Sequence, residues 1–189
     1  MRTLTIKQGL IDFASNDFLG FARCAELKER IMEKWTELNI GSTGSRLLTG
    51  NHLFVEKLEQ QLACFYGSEA ALIFTSGYTA NLGLLSALLT ADDVVLHDAH
   101  SHASTIDGIR LSRAKRFSFH HNDLDHLEKR FKMHNSKGNL YVCVESVYSC
   151  DGSLAPLKEM AQLCDQHGAR LIVDEAHATG IIGCAGRGL

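Results

Sequence analysis

From residue 71 onward, short apolar runs alternate with segments of helical period, and this alternation limits the fold more than any other feature. Residues 71–75, 94–97, 116–119, 140–145 and 170–174 are each the length of a strand and too short for a buried helix. Helical stretches open between them at Ser76-Gly77-Tyr78, at Ser101, at Asn122 or Asp123, and over 156–167 with Pro156 in the first turn. Such alternation predicts a mostly parallel sheet wrapped by helices. Upstream, residues 12–20 read as an extended arm turning at Gly20. Residues 24–38 read as a helix with Leu27, Ile31 and Leu38 on one face. A glycine-rich loop, Gly41-Ser42-Thr43-Gly44-Ser45-Arg46, follows. Asn51 is placed to cap the next helix, which carries Leu53, Leu58 and Leu62 inward to about Tyr66. The chain thus divides into an arm, helix and loop over 1–50 and a partial α/β domain over 51–189.

Composition narrows the class. The 189 residues carry a net charge of −3 with no basic block, which disfavours a nucleic-acid or membrane-surface partner. No apolar run reaches membrane-spanning length, and residues 1–10 lack the apolar core of a signal peptide. A cytoplasmic protein is the expectation. The six cysteines form no C-x-x-C pair and lie in apolar segments, so reduced and mostly buried thiols are expected. One proline leaves no room for a Pro-rich linker.

In an open α/β sheet, ligands sit outside the carboxyl ends of the strands. Four features fall there. Ser76-Gly77-Tyr78 follows a strand and opens a helix, where free N–H groups and the helix dipole favour an anion. Asp98-Ala99-His100-Ser101-His102 is a loop into a helix capped by Ser101, with an imidazole available to stack on a flat ligand. A metal at His97, His100 and His102 is disfavoured, because the spacing suits no helical pair and no thiolate is near. Glu145 leaves the sheet beside a turn holding Ser149, Asp151 and Gly152, which also reads as an ordinary Asp-Gly turn. Leu171-Ile172-Val173 runs into Asp174, with His177 three positions on.

Asp174-Glu175-Ala176-His177 spells a helicase box, but no Gly-Lys phosphate loop accompanies it. Ser112-Arg113-Ala114-Lys115 matches a serine acyl-enzyme motif without its companions, at a helix end entering a strand. No G-x-G-x-x-G follows a strand. A flat, phosphorylated ring with a nitrogen would use all four features. The phosphate would sit at the helix start, His102 over the ring, Asp174 at the ring nitrogen, and His177 and Ser149 at neighbouring groups. Pyridoxal 5′-phosphate has that form.

The same residues resemble the α-oxoamine synthases, pyridoxal-phosphate enzymes of the aspartate-aminotransferase fold (fold type I). The resemblance runs through Asn16-Asp17-Phe18-Leu19-Gly20, Gly41 to Leu47, Phe74 to Asn81, Ser101-His102-Ala103-Ser104, His121-Asn122-Asp123, Glu145 to Gly152, Val173 to Gly180 and Gly186-Arg187-Gly188. It implies that Ser76, Gly77 and Tyr78 hold the cofactor phosphate. His102 would stack on the ring near the amino-acid substrate. Glu145, Ser149 and His177 would contact the cofactor, and Asp174 would keep its pyridine nitrogen protonated. His102, Asp174 and His177 are the implied catalytic set, and Asn16 approaches substrate or a dimer interface. The implied reaction is a decarboxylative condensation of an amino acid with an acyl thioester. The wording around Asp174 and His177 is most similar to the branch that joins L-alanine to a pimeloyl thioester for biotin. The branch that acetylates glycine is next.

The resemblance also implies a homodimer, and a cofactor-bearing lysine downstream of the Gly-Arg-Gly tail. The chain stops at Leu189, so the lysine, the rest of the large domain and the small C-terminal domain are expected to be missing. The chain alone is then expected to be inactive and to expose apolar surface. It reads either as the N-terminal portion of such an acyltransferase or as a non-catalytic partner subunit.

Overall fold

The computed structural model describes residues 11–38, 40–134 and 137–189. Residues 1–10, read above against a signal peptide, lie outside them. The chain separates into two compact units, one ending at His52 and the other running Leu53–Leu189.

In the first unit a single 3-10 turn, Phe21–Arg23, precedes helix α1, Ala25–Trp35. The expected apolar face of α1 buries nothing: Leu27, Ile31 and Leu38 are all exposed, and α1 ends before Leu38. The glycine-rich loop closes on itself. Ser42 Oγ donates to Gly44 O at 2.7 Å, and Gly50 N–H donates to Ser45 O at 2.9 Å. A side chain at Gly50 would collide with the Gly44 carbonyl, so only glycine closes this loop. Asn51 Oδ1 accepts from Arg46 Nε at 3.0 Å.

The second unit runs α2 (Leu53–Tyr66), α3 (Gly77–Leu88), β1 (Val94–Asp98), α4 (Ala103–Ser112), β2 (Lys115–Phe119), α5 (Leu124–Met133), β3 (Leu140–Glu145), α6 (Leu157–His167) and β4 (Arg170–Asp174). The four strands are all parallel, in the order β2-β1-β3-β4. The chain leaves β1 for one side and returns on the other, so the crevice between the ends of β1 and β3 is a topological switch point.

Successive strand residues point to opposite faces, and the core divides accordingly. Val94, Leu96, Val142 and Val144 pack with Leu127, Phe131, Met160 and Cys164 from α5 and α6. Val95, Tyr141 and Cys143 pack on the other face with Leu85, Leu89 and Ile109 from the α3 and α4 side. Helices α3 and α4 approach closely at Gly108. A Cβ there would stand 2.8 Å from Asn81 O and 3.0 Å from Leu85 Cβ. Among the described residues, no helix is long and apolar enough to cross a membrane.

Several expectations need correction. Residues 71–75 are not a strand: no ladder partner reaches them among the described residues, and strand pairing needs one. Ile73 N–H instead donates to Glu59 Oε1 at 2.7 Å. Leu72, at 64% exposed, joins Phe74, Leu84 and Leu88 around an open apolar groove of about 610 Å³. Leu53 is 72% exposed rather than inward; Leu58 and Leu62 are half-buried, and only Ala63 of α2 is buried. All six cysteines are free, but only Cys143 and Cys164 are buried, and Cys64, Cys150 and Cys184 are exposed. Burial pushes the Cys143 thiol up to about 12 and the Cys164 thiol up to about 11, so neither is a ready thiolate.

Candidate functional site

Parallel strands place every strand-end loop on one edge, and the candidate residues of the second unit gather there. Helix α3 begins beside it. Ser76 is its N-cap, accepting from Thr79 N–H at 3.1 Å, while Thr79 Oγ1 accepts from Ser76 N–H at 3.1 Å. This reciprocal capping box spends two of the helix's orphan donors. The N–H groups of Gly77 and Tyr78 have no acceptor among the described residues. They stand at the positive end of a 12-residue helix, and a Cβ at Gly77 would meet nothing within 4 Å. The Tyr78 hydroxyl donates to Asp107, which raises the phenol's pKa and lowers that of the carboxyl. The Tyr78 ring stands edge-on to His102, with centroids 6.3 Å apart.

His102 caps α4 itself, a role the sequence reading gave to Ser101. Its Nδ1 accepts from Ser104 N–H at 3.2 Å and lies 2.7 Å from Ser104 Oγ. Asp174 ends β4. Its Oδ1 accepts from Ala176 N–H at 2.9 Å, and its Oδ2 accepts from Asn81 Nδ2 at 2.8 Å. Asn81 Nδ2 also donates to Ser104 Oγ at 3.0 Å. One chain of hydrogen bonds therefore joins Asp174, Asn81, Ser104 and His102.

Glu145 pairs in register with Asp174 at the ends of β3 and β4. It is buried, with the backbone N–H groups of His102 and Ser149 near enough to favour its charged form. Burial, and then the nearby Asp174 charge, raise its pKa. Its Oε1 is buried without a partner among the described residues. Ser149 is exposed on its turn, and His177 is half-buried in the turn after β4. Asn16 belongs to the first unit, so its part in the site stays a proposal.

Two residues here escaped the sequence reading. Asn81 sits in an apolar helix between Ala80 and Leu82, and Ser104 lies in the first turn of α4. The lone amide among apolar neighbours was the available signal for Asn81.

A second carboxylate–histidine group lies on the same edge. Asp98 is 0% exposed and accepts from His121 Nδ1 at 2.9 Å, His100 N–H at 2.7 Å and Asn122 N–H at 2.9 Å. His121 Nε2 lies 2.8 Å from Ser153 Oγ, which donates to Asp151 Oδ1 at 2.7 Å. His100 stacks on His121 at 4.0 Å. His100, His121 and Asp151 bring ligand atoms within 4.8 Å of one another, as do His120, Asp123 and His126. Yet His121 is held between Asp98 and Ser153, while Asp123 caps α5 and His126 Nδ1 takes the N–H of His120. His97, His100 and His102 form no such group among the described residues.

The profile of the aminotransferase class I and II family matches residues 8–187. A Bacillus cereus (strain B4264) relative, provisionally named 8-amino-7-oxononanoate synthase, is 44% identical over 183 residues, covering 97% of this chain and 46% of that one. A serine palmitoyltransferase from S. paucimobilis, solved with a bound PLP–myriocin aldimine, superposes with a TM-score of 0.86 at 37% identity, over 92% of this chain and 45% of that one. The 8-amino-7-oxononanoate synthase of Francisella tularensis superposes with a TM-score of 0.79 at 32% identity, over 96% and 50%. The chain spans about half the length of the curated relatives it matches.

Proposed function

We propose, for a chain that belongs to the aminotransferase class I and II family and stands among its α-oxoamine synthases, that it supplies one half of a pyridoxal-phosphate-dependent acyltransferase site. The observation that carries the reading is the Asn81–Asp174 bond. It joins the start of α3, with its two free N–H groups, to an acceptor-only carboxylate at the end of β4.

The donor set fits pyridoxal phosphate. Gly77 and Tyr78 offer backbone N–H groups to a phosphate, and Ser76 adds its hydroxyl. Asp174, fixed by Asn81 and Ala176 N–H, holds a proton on a pyridine nitrogen. His102 supplies a flat face. Ser149 and His177 stand on the turns after β3 and β4, within the same crevice edge. When bound, the cofactor supplies an electron sink for a carbanion at the amino acid's α-carbon. The residues of this chain anchor the phosphate, orient the ring and keep its nitrogen protonated. The overall change joins the amino acid's α-carbon to the acyl carbon. The thiol leaves from the thioester, and the amino acid's carboxyl leaves as carbon dioxide.

For the substrates we propose L-alanine and a pimeloyl thioester, on the names of the relatives; glycine with an acetyl thioester is the alternative. The two differ by a few apolar contacts at the acyl pocket. We further propose that the 189 residues alone do not turn over, because no lysine here stands in the family's cofactor-bearing context. The whole protein is proposed to be a homodimer. The retained Asp174, His102 and His177 favour a catalytic half over a non-catalytic partner, which needs no such chemistry.

Titrating pyridoxal phosphate into the purified chain tests the reading. Visible circular dichroism is expected to show a saturable signal that Asp174→Ala weakens at least about tenfold, the worth of one charge-assisted hydrogen bond. Borohydride treatment followed by mass spectrometry is expected to leave every lysine unmodified. A specific reduced lysine adduct would overturn the claim of inactivity, and an absent dichroic signal would overturn the cofactor reading.

A further inference from the structure

We propose that Asn81 and Ser104 are positioning residues that lock His102 as its Nε2–H tautomer and couple it to Asp174. The purpose of this arrangement rests on the cofactor reading above; its content rests on geometry. Asp174 as a carboxylate only accepts, so the Asn81 atom 2.8 Å from it is the amide nitrogen. The second hydrogen of that nitrogen goes to Ser104 Oγ at 3.0 Å. Having accepted there, the Ser104 hydroxyl keeps its own proton to give, and His102 Nδ1 lies 2.7 Å away. Ser104 N–H converges on the same nitrogen at 3.2 Å. Two donors aimed at Nδ1 require a lone pair on it. The proton of the neutral ring therefore sits on Nε2.

Ser104 is 1% exposed, so water does not replace these bonds. An Nδ1–H ring would still find an acceptor in Ser104 Oγ but would set hydrogen against hydrogen at Ser104 N–H and forfeit that bond. His102 accordingly enters the site as a donor through Nε2. It can bind an acceptor, such as a substrate carboxylate, but it has no free basic nitrogen with which to take a substrate proton. Its role is then that of an orienting donor. Asn81 does the corresponding work at Asp174. With Oδ1 held by Ala176 N–H and Oδ2 by Asn81, the carboxylate plane is set.

The measurement is long-range ¹H–¹⁵N correlation NMR of the labelled 189-residue chain, with no cofactor added, at about pH 8, where an ordinary imidazole is neutral. His102→Gln identifies the signal. The expected pattern is a pyridine-like Nδ1 and a pyrrole-like Nε2. Ser104→Ala is expected to give a mixed tautomer, and Ser104→Thr, which restores the hydroxyl, the wild-type pattern. An Nδ1–H tautomer in the wild-type chain overturns the proposal without recourse to any variant, and an unchanged pattern in Ser104→Ala overturns the role of Ser104. Pyridoxal phosphate is then titrated into wild type and Asn81→Leu, where about tenfold weaker binding is expected. Equal binding overturns the role of Asn81. Absence of binding by the wild-type chain overturns the cofactor reading and leaves the tautomer result standing, so the two failures are distinguishable.

Discussion

Asp98 closes β1 and Asp174 closes β4, on one edge of one parallel sheet, and each leads through hydrogen bonds to a histidine. Their surroundings differ. Asp98 is 0% exposed and receives three donors, two of them backbone N–H groups. One of these holds Asn122 in a left-handed conformation, at φ 53°. Asp174 is half-buried and receives one donor on each oxygen. The first carboxylate is saturated by its own chain and acts as a staple between loops. The second is steadied but retains lone pairs for something else. At a strand end, donor saturation separates structural acids from chemical ones better than residue type does.

The largest effect that could break this distinction is on stability. Asp98→Ala removes the acceptor for three donors in a buried setting and is expected to cost about 3–5 kcal/mol. Urea denaturation of the chain measures it, and a loss below about 1 kcal/mol would show that Asp98 is no staple. Gly108→Ala is next. The new methyl meets Asn81 O and Leu85, so about 1–3 kcal/mol is expected from overpacking, read in the same assay.

Glu145 sharpens the comparison as a third strand-end acid, one that the fold prefers neutral. Its folded pKa is raised, so the folded state binds the proton more tightly than the unfolded chain does. Its contribution to stability is therefore greatest below the ordinary glutamate range and declines as pH rises through the folded value. Glu145→Gln, which cannot ionise, is expected to flatten that decline. Melting temperatures of both proteins from about pH 4 to pH 8 test the sign. A mutant curve parallel to wild type would remove Glu145 from the account. The smallest effect is expected at Asp174→Asn, within about 1 kcal/mol in the same denaturation, since the side chain is only partly buried and Asn keeps an acceptor oxygen.

Much of the fold was legible because its signals are local. The runs Leu140–Glu145 and Arg170–Asp174 become strands at the expected bounds, each an apolar run that ends at an acidic residue. Residues 71–75 carry the same apolar signal and form no strand, because ladder pairing depends on a partner that local composition does not reveal. The strand-end residues Asp174, Glu145 and His102 were legible as chemistry-bearing types at turn positions. Asn81 was not: its partner lies 93 residues away, and a lone amide among apolar neighbours does not say which residue it will meet. Capping by His102 was hidden for a related reason. Serine is the commoner cap, and only the three-dimensional turn shows the imidazole taking the Ser104 N–H.

Gly108 gives the site a mechanical tolerance. Its missing side chain sets how closely α4 lies to the carbonyl of Asn81, the residue whose amide reaches Asp174. Hydrogen bonds weaken within a few tenths of an ångström, the distance by which an added methyl would force a neighbour to yield. The spacing of two helices thus serves as a gauge for the polar network, and a residue with no functional group of its own determines whether that network stays in alignment.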